Sequence, residues 1–505
     1  MNSPVVTSAQ MKAAEGAAFA KGVTADALME RAGWVIARSV TSFFSQPGEC
    51  HLFIGKGHNG GDALVAGRYL RLRGWRVETH LAFPEADCSP LTRQKLKSLR
   101  NAMDPTPELV GTGPFVVLDG LLGLGAKPPL RDPILSACRE IRQLRDGRNA
   151  YVFAIDIPTG LDGDSGGADP DAVIADFTVT IGFVKQGLVA DRALDFVGRL
   201  EVVPLPELIA PSEATEETVA CASSLRGLLP RRKFGAYKNQ FGRVGIVAGS
   251  EGLVGAALLC ATAALRAGAG LVEVFVLHSI YEIVASAAPP EAMVTPVQTY
   301  RALPRERIAA WAIGPGLGES HRSEIAELIE TAEQPMLVDA DGLNILSHRI
   351  DVLDHCQGPR LLTPHAGEMK RLLPDEKESR AKTARFFCQK FPVTLLFKGS
   401  RTIVAEKGKP VSYNTTGNPG MATGGMGDAL TGVCAAFMAQ RLSPYDAGRL
   451  GAWVCGRAAE IAVFNRNESE QSLLPRDVIE NLGAAFDDLQ ANALFNLEGD
   501  APSSP

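Results

Sequence analysis

Short apolar runs alternate with helical patterns along nearly the whole 505-residue chain. In the first half these runs predict strands near Cys50–Gly55, Trp75–Phe83, Phe115–Asp119, Tyr151–Asp156 and Phe177–Gly182. In the second half they predict strands near Arg243–Ala248, Val272–Leu277, Trp311–Gly314, Met336–Asp339, Arg360–Thr363 and Thr394–Lys398. Strands separated by helices must pair mostly in parallel, with helices on both faces, so the fold class is α/β. Ligands in such sheets bind beyond the carboxyl ends of the strands. Most polar and glycine-rich segments of this chain fall at those ends.

Two such patterns follow one another, as the length allows at roughly 150 residues per domain. Between them Pro204–Ser224 holds Pro204, Pro206, Pro211 and the acidic Glu213-Ala-Thr-Glu-Glu217, and reads as an exposed linker. The expected division is a domain over 1–212, a linker over 213–224, a second domain over 225–490 and a frayed tail over 491–505. Net charge is −6, which suggests neither a nucleic-acid nor a membrane partner. Nine scattered cysteines, with no CxxC and no Cys/His cluster, argue against zinc and against a disulfide framework. Cys260, Cys434 and Cys455 sit in apolar helical context and are expected as core thiols. No basic, then apolar, leader is visible at the N-terminus, and no apolar run reaches the ~18 residues of a membrane span. The cytoplasm is the expected location.

The segment Asn418-Pro-Gly-Met-Ala-Thr-Gly-Gly-Met-Gly-Asp428 leads into an apolar helix and carries four glycines in eleven residues. Glycines leave backbone N–H groups uncovered, and a helix N-terminus adds partial positive charge, so the pattern suits a phosphoryl group. A carboxylate there repels phosphate and needs a reason. Proton removal from a hydroxyl that attacks phosphorus supplies one. The plainer alternative is an acid that complements the helix dipole.

In the first half, Gly55-Lys-Gly-His-Asn-Gly-Gly-Asp62 follows a strand and opens a helix expected over Ala63–Arg73. It contains G-x-G-x-x-G, which suits pyrophosphate at a helix N-terminus. The next strand ends Leu81-Ala-Phe83 without the acid that an ordinary dehydrogenase uses, so dinucleotide contact is expected without ordinary hydride transfer. Asp119 and Asp156 stand at two further strand tips, and an acid there is costly unless it binds something. Asn59, Asp119 and Thr159 offer hard oxygens, suited to a simple cation. Asp156 is the best candidate acid or base; the alternative for each is a loop-capping contact.

In the second half, Gly314–Gly318, Asp339-Ala-Asp341-Gly-Leu-Asn344, Thr363-Pro-His365-Ala-Gly-Glu368 and Lys398-Gly-Ser-Arg-Thr402 each follow a strand. Lys398 and Arg401 could pair with nucleotide phosphate or form a solvated hairpin edge. No G-x-x-x-x-G-K-[ST] occurs, so this is not a P-loop chain. His365 has no second histidine at metal spacing, so a substrate hydrogen bond is expected of it.

Taken in order, these motifs resemble the bifunctional NAD(P)H-hydrate repair enzymes, in which an NAD(P)HX epimerase is fused to an ADP-dependent NAD(P)HX dehydratase. The resemblance rests on Asn59–Asp62, Asp119 with Gly123–Pro129, and Asp156-Ile-Pro-Thr-Gly160. In the second half it rests on Gly255–Ala257, Ala264–Gly270, Gly314–Gly318, Thr363–Glu368, Lys398–Thr402 and Asn418–Asp428. It implies an N-terminal Rossmann-like three-layer domain and a C-terminal ribokinase-like α/β domain. In the first, His58, Asn59, Gly60, Gly61, Asp62, Gly123, Leu124, Gly125, Ala126, Lys127, Pro128 and Pro129 would contact the hydrated dinucleotide. Asp156 would meet its modified ring, and Asn59, Asp119 and Thr159 would hold K+. In the second, Ala257, Gly318, His365 and Asp428 would line the hydrate site. Lys398, Gly399, Ser400, Arg401, Thr402 and Gly427 would hold the adenine nucleotide, with Mg2+ on its phosphates and ADP as phosphoryl donor. Asp156 and Asp428 are the expected catalytic residues. NADHX and NADPHX are the implied substrates and a homo-oligomer the expected assembly. His58 and Ala63 depart from the family loop, which often has Asn and Gly there. The competing expectation is an ADP- or ATP-dependent small-molecule kinase with a regulatory dinucleotide-binding module.

Overall fold

The computed structural model describes residues 3–102, 113–211, 216–465 and 468–491. The chain divides into two compact units, one over Ser3–Thr215 and one over Glu216–Ala491. The first residues of the expected linker (213–215), and all of the expected tail except Ala491, lie outside the described residues.

The strands of the first unit are β1 (Ser3–Val6), β2 (Glu49–Ile54), β3 (Arg76–Leu81), β4 (Phe115–Gly120), β5 (Tyr151–Ile155), β6 (Phe177–Ile181), β7 (Val184–Lys185) and β8 (Arg199–Val203). Six form one sheet in the order β3-β2-β4-β5-β6-β8, every pair parallel. Runs such as Leu52–Ile54, Val116–Leu118 and Val152–Ile155 are wholly buried, as strands covered on both faces must be. Helix Ile134–Arg148 packs Ile134, Ala137 and Ile141 against Phe53, Val117 and Val152. The chain runs from β2 outward to β3, then crosses back to β4 on the other side of β2. That reversal opens a crevice at the carboxyl ends of β2 and β4. Helices Ala25–Phe43 and His58–Leu72 close on each other at Gly33, where an added Cβ would stand 2.4 Å from Val65 Cβ.

The second unit holds β9 (Glu217–Ala220), β10 (Arg243–Val247), β11 (Leu271–Leu277), β12 (Ala292–Val297), β13 (Ala310–Ile313), β14 (Met336–Val338), β15 (Arg360–Leu362), β16 (Thr394–Phe397), β17 (Ile403–Ala405) and β18 (Val411–Asn414). Their order is β12-β11-β10-β13-β14-β15-β16-β17-β18-β9. Pairing is parallel from β12 to β16, antiparallel through β17 and β18, and parallel again between β18 and β9. Here the reversal lies between β10 and β13. Helix Met426–Ala439 packs on helix Val254–Arg266 so closely that a Cβ on Gly432 would stand 2.2 Å from the Cys260 carbonyl oxygen.

All eleven expected strands are present, within a residue or two at each end. Glu217–Ala220, expected within the linker, is instead a strand: Thr218, Val219 and Ala220 are buried, and the segment hydrogen-bonds along β18. The acidic run before it masks the signal. All nine cysteines are unpaired, and Cys260, Cys434 and Cys455 are buried, as expected of core thiols.

Candidate active sites

In the first unit, helix His58–Leu72 begins five residues before the expected start. Thus His58 to Asp62 form its first turn rather than a loop. Close packing explains the glycines. An added Cβ on Gly55 would sit 1.8 Å from the Leu121 carbonyl oxygen, and one on Gly60 would sit 2.3 Å from that of Gly55. Gly57, the N-cap, faces open space. His58 is exposed, while Asn59, Gly60, Gly61 and Asp62 are buried.

At the tip of β4, Asp119 is fully buried (0 % exposed). Its Oδ1 accepts from Thr159 Oγ1 at 2.7 Å and from the Leu121 amide at 3.2 Å; its Oδ2 accepts from the Thr159 amide at 2.8 Å. Asn59 Nδ2 donates to the Leu122 carbonyl at 3.0 Å, and the Leu122 amide donates to Thr159 Oγ1 at 3.1 Å. The expected metal trio is therefore one connected group. Burial pushes the Asp119 carboxyl up to about 6, against the hydrogen bonds that lower it. Its partners are neutral donors, so a buried carboxylate here lacks a counter-charge, which fits an alkali cation on hard oxygens.

Asp156, just beyond β5, holds a left-handed backbone with φ of 67°. For a non-glycine residue this costs about 1–2 kcal/mol, and such strain clusters at functional positions. The turn aims its carboxylate at Lys185 of β7, whose Nζ donates to Asp156 Oδ1. The same Nζ donates to Thr180 Oγ1 at 3.1 Å and to the Ile181 carbonyl at 2.9 Å. The Ile181 amide donates to Asp156 Oδ1 at 3.1 Å. Burial, then the charge of Asp156, raises Glu15, while Lys185 and His58 oppose the rise. Burial, then Asp156 and Glu15, holds Asp62 well above the usual carboxylate range. Asp62, Asp156, Glu15, Lys185 and His58 thus share one neighbourhood. Lys185 and Glu15 went unnoticed in the sequence, where neither follows a glycine-rich strand end. The segment from Gly123 to Pro129 follows β4, with Gly125, Lys127 and Pro129 exposed and Leu124, Ala126 and Pro128 half-buried. A Cβ on Gly123 would stand 3.3 Å from Asn59 Oδ1, and one on Gly125 3.0 Å from Lys12 Nζ.

In the second unit, helix Met426–Ala439 starts after Gly425, whose φ is 90°. Asp428 lies in its first turn, and Gly424 opens onto free space. Across from it stands Asp339, at the end of β14. Asp339 Oδ1 accepts from Lys398 Nζ at 2.6 Å, and Oδ2 accepts from Thr431 Oγ1 at 2.9 Å. Lys398 Nζ also lies 3.7 Å from Glu368 Oε2. A Cβ on Gly427 would stand 3.4 Å from both Lys398 Nζ and Asp339 Oδ2, so glycine keeps this ion pair open. Burial, then the charge of Asp339, pushes Asp428 up to about 6, with Lys398 opposing. Burial acts to lower Lys398, but Asp339 and Glu368 outweigh it and hold the ammonium up.

His365 caps helix Ala366–Leu372. Its Nδ1 accepts from the Gly367 amide at 2.9 Å and the Glu368 amide at 3.3 Å, and Glu368 Oε2 accepts from the His365 amide at 2.8 Å. An accepting Nδ1 puts the proton of the neutral ring on Nε2. That ring is 55 % exposed, and its Nε2 lies 3.5 Å from Glu368 Oε1. Gly318 donates its amide to Asp341 Oδ2 at 2.8 Å.

Two further expected residues are placed as follows. Ala257 is fully buried in the apolar core, beside the Gly249 turn, and exposes no side chain to line a site. Its small size serves the packing of its helix on the sheet. Lys398 faces Asp339 and Glu368, apart from the exposed Gly399 and Ser400. Arg401 is buried (3 % exposed), which excludes a solvated edge for it, and Thr402 Oγ1 donates to the Gly399 carbonyl at 3.1 Å.

The family model described as YjeF-related protein N-terminus matches residues 25–187, and that described as NAD(P)H-hydrate dehydratase matches residues 244–482. A bifunctional NAD(P)H-hydrate repair enzyme of Moorella thermoacetica is 34% identical over 488 residues, covering 90% of this chain and 91% of its own. The chain belongs to the bifunctional NAD(P)H-hydrate repair enzymes. Another repair enzyme, from Gloeobacter violaceus, is 33% identical, covering 90% of this chain and 93% of its own. Among solved structures, an ADP/ATP-dependent NAD(P)H-hydrate dehydratase of Bacillus subtilis, co-crystallized with ATP/Mg2+, matches at 26% identity and a TM-score of 0.48. It covers 54% of this chain and 98% of its own. Both units of this chain carry strand-end acids, Asp119 and Asp156 in one and Asp339 in the other, where Asp428 adds an acid in the first turn of a helix. No described helix is long and apolar enough to cross a membrane.

Proposed function

We propose that the chain restores hydrated nicotinamide dinucleotides, with the two activities divided between its units. The first, over 1–212, epimerises R- and S-NAD(P)HX. The second, from residue 225 to 490 together with the strand at Glu217–Ala220, dehydrates S-NAD(P)HX at the expense of ADP, giving AMP and phosphate. The observation that carries the reading is Asp428, a carboxylate in the first turn of a helix behind a glycine-rich loop, beside the Lys398–Asp339 pair.

NAD(P)HX has water added across one double bond of its dihydronicotinamide ring, leaving a hydroxyl on C6 next to the ring nitrogen. Hydroxide leaves poorly and phosphate leaves well. Asp428 takes the C6 hydroxyl proton as that oxygen attacks the β-phosphorus of ADP. The bond from β-phosphorus to the bridging oxygen breaks, and AMP departs. The amides of Gly424, Gly425 and Gly427 hold the transferring group. The ring-nitrogen lone pair then expels phosphate from C6, and loss of a C5 proton restores NAD(P)H. An Asp428 raised to about 6 is a stronger base than a free carboxylate and is still ionised at neutral pH. Lys398 places positive charge beside the phosphates, while Gly399, Ser400, Arg401 and Thr402 hold the nucleotide. Gly318 and His365 Nε2 orient the hydrate. Magnesium would neutralise charge on the nucleotide phosphates.

In the first unit, C6 interconverts between R and S through an opened or ionised ring. Asp156 shuttles the proton, and Lys185 fixes its carboxylate in place. The first turn from His58 to Asp62 and the segment from Gly123 to Pro129 hold the dinucleotide. Asn59, Asp119 and Thr159 would hold potassium, which balances the Asp119 charge and fixes both loops.

The decisive test mixes the protein with both epimers of NADHX, magnesium, potassium and either ADP or ATP. Recovery of dihydronicotinamide absorbance from the whole pool, with phosphate released, supports both activities and names the donor. Recovery of the S fraction alone removes the epimerase. A phosphorylated product that accumulates, with no NADH regained, favours a small-molecule kinase instead.

A further inference from the structure

A cluster of histidines and acids lies away from both sets of strand-end loops. Alternate residues of β2 and β3 point to one face of the sheet. On that face β2 presents Glu49, His51 and Phe53, and β3 presents Glu78 and His80, with His51 opposite Glu78 and Phe53 opposite His80. Helix Ile134–Arg148 covers this face and contributes Glu140 and Arg148.

The distances are short throughout. His51 Nε2 lies 2.8 Å from Glu49 Oε1 and 3.4 Å from Glu78 Oε2. His80 Nε2 lies 3.1 Å from His51 Nδ1 and 3.7 Å from Glu78 Oε1, and His80 Nδ1 lies 3.4 Å from Glu140 Oε1. One ligand-type atom from each of His51, Glu78 and His80 falls within 4.8 Å of the others. His80 stacks on Phe53 at 4.6 Å between ring centres, which fixes the ring plane. His51 is buried, yet its two nitrogens face only titratable groups.

Two imidazole nitrogens 3.1 Å apart cannot both carry a proton on the facing atoms, so at least one is a free lone pair. Three carboxylates, Glu49, Glu78 and Glu140, surround the pair. The nearby guanidinium of Arg148 bonds Glu49 Oε2 at 3.0 Å. Imidazoles beside carboxylates are the donor set of zinc and its neighbours, and one ligand-type atom from each of three residues within 4.8 Å needs only small side-chain rotations to reach the roughly 2.0–2.2 Å shell of one shared ion.

We propose that His51, Glu78 and His80, completed by Glu49 or Glu140, form a binding site for a divalent transition ion of the zinc class. The ion pins the edge strand β3 to β2 and, through Glu140, to helix Ile134–Arg148. No spacing rule finds this site in the sequence, because β2 and β3 are joined by a helix and the ligands meet only through register.

The test uses the full chain, stripped with a chelator, dialysed and titrated with Zn2+ by calorimetry, with Co2+ as a spectroscopic probe. The expected result is one ion per chain and a higher Tm in Zn2+. Visible cobalt absorption should appear without a sulfur-to-cobalt charge-transfer band. His51 is buried, so its replacement risks the fold; His80→Gln and Glu78→Gln lie on the edge strand and keep the test sound. Each should weaken binding more than the roughly 10–100-fold typical of outer-shell changes. Three results would overturn the proposal: no stoichiometric binding, unchanged affinity in both variants, or a sulfur-to-cobalt band that puts the ion on cysteine.

Discussion

Lys185 donates its side-chain ammonium to Asp156 Oδ1, to Thr180 Oγ1 and to the Ile181 carbonyl at once. Two of these acceptors lie at the end of β6 and the third lies just after β5, and Lys185 is only 1 % exposed. The carboxylate it meets belongs to a residue in a left-handed backbone after β5. One oxygen of Asp156 is thus held, and the proposed mechanism assigns proton transfer to the other.

Two variants separate charge from placement here. Asp156→Ala should reduce epimerisation of a pure R epimer by about 10²–10⁴-fold, the usual worth of a proton-transfer group. ADP-dependent dehydration of the S epimer should be unchanged. Lys185→Met should also slow epimerisation, and it should destabilise the fold by about 3–5 kcal/mol, because it leaves a buried carboxylate unpaired. Equilibration of the R epimer at the wild-type rate in Asp156→Ala would remove that residue from the mechanism.

Asp428→Asn keeps the shape of the helix start and removes the base. Dehydration should fall by about 10²–10⁴-fold while ADP and the S hydrate still bind. Calorimetric binding beside a turnover assay reads both, and near-normal turnover would sink the role.

The same carboxylate sets a pH limb. Asp428 is raised to about 6 chiefly by burial and the charge of Asp339, and it acts as a base only when ionised. The kcat/KM for dehydration should therefore rise with pH through a single limb near 6 and then level. Asp339→Asn removes the like charge and should move that limb to lower pH. A profile flat from well below 6 upwards would contradict the assignment.

Asp119 links stability to both protons and potassium. Its folded value, about 6, exceeds the ordinary 3.8, so the folded protein holds this proton more tightly than the unfolded chain. Folded stability then falls as pH rises through the interval between those values, because ionisation exposes the burial cost. An alkali ion on Asn59, Asp119 and Thr159 offsets that cost only once Asp119 is ionised. Potassium should raise Tm clearly above pH 6, little below pH 4, and not at all in Asp119→Asn. An equal shift at both ends of the range would place potassium elsewhere.

Central strands were legible in the sequence because burial on both faces writes continuous apolar runs, as in Val116–Leu118. Strands at the margins were not. Ala292–Val297 is half-buried throughout and contains Pro296; Val184–Lys185 has two residues; Glu217–Ala220 follows an acidic run. The strand-end acids Asp119 and Asp156 were visible because polar residues after apolar runs stand out, and Asp428 because it follows a glycine-rich loop at a helix start. Lys185 was not, since its partner lies 29 residues away and only the turn after Phe177–Ile181 brings them together. The start of helix His58–Leu72 was missed because glycine lowers local helix propensity. Tertiary contact of Gly60 with Gly55 overrides it.

That early helix start governs how binding proceeds in time. The turn proposed to hold the dinucleotide is already helical, with Gly60 packed on the Gly55 carbonyl and Gly61 on the Met29 side chain too closely to admit a Cβ. Docking therefore orders nothing in this turn, and little conformational entropy is lost there. Capture of the dinucleotide becomes a lock-and-key event at this end, with association limited by encounter rather than by loop closure. Backbone order in this turn, read by NMR relaxation, should be the same in the free protein as in the complex.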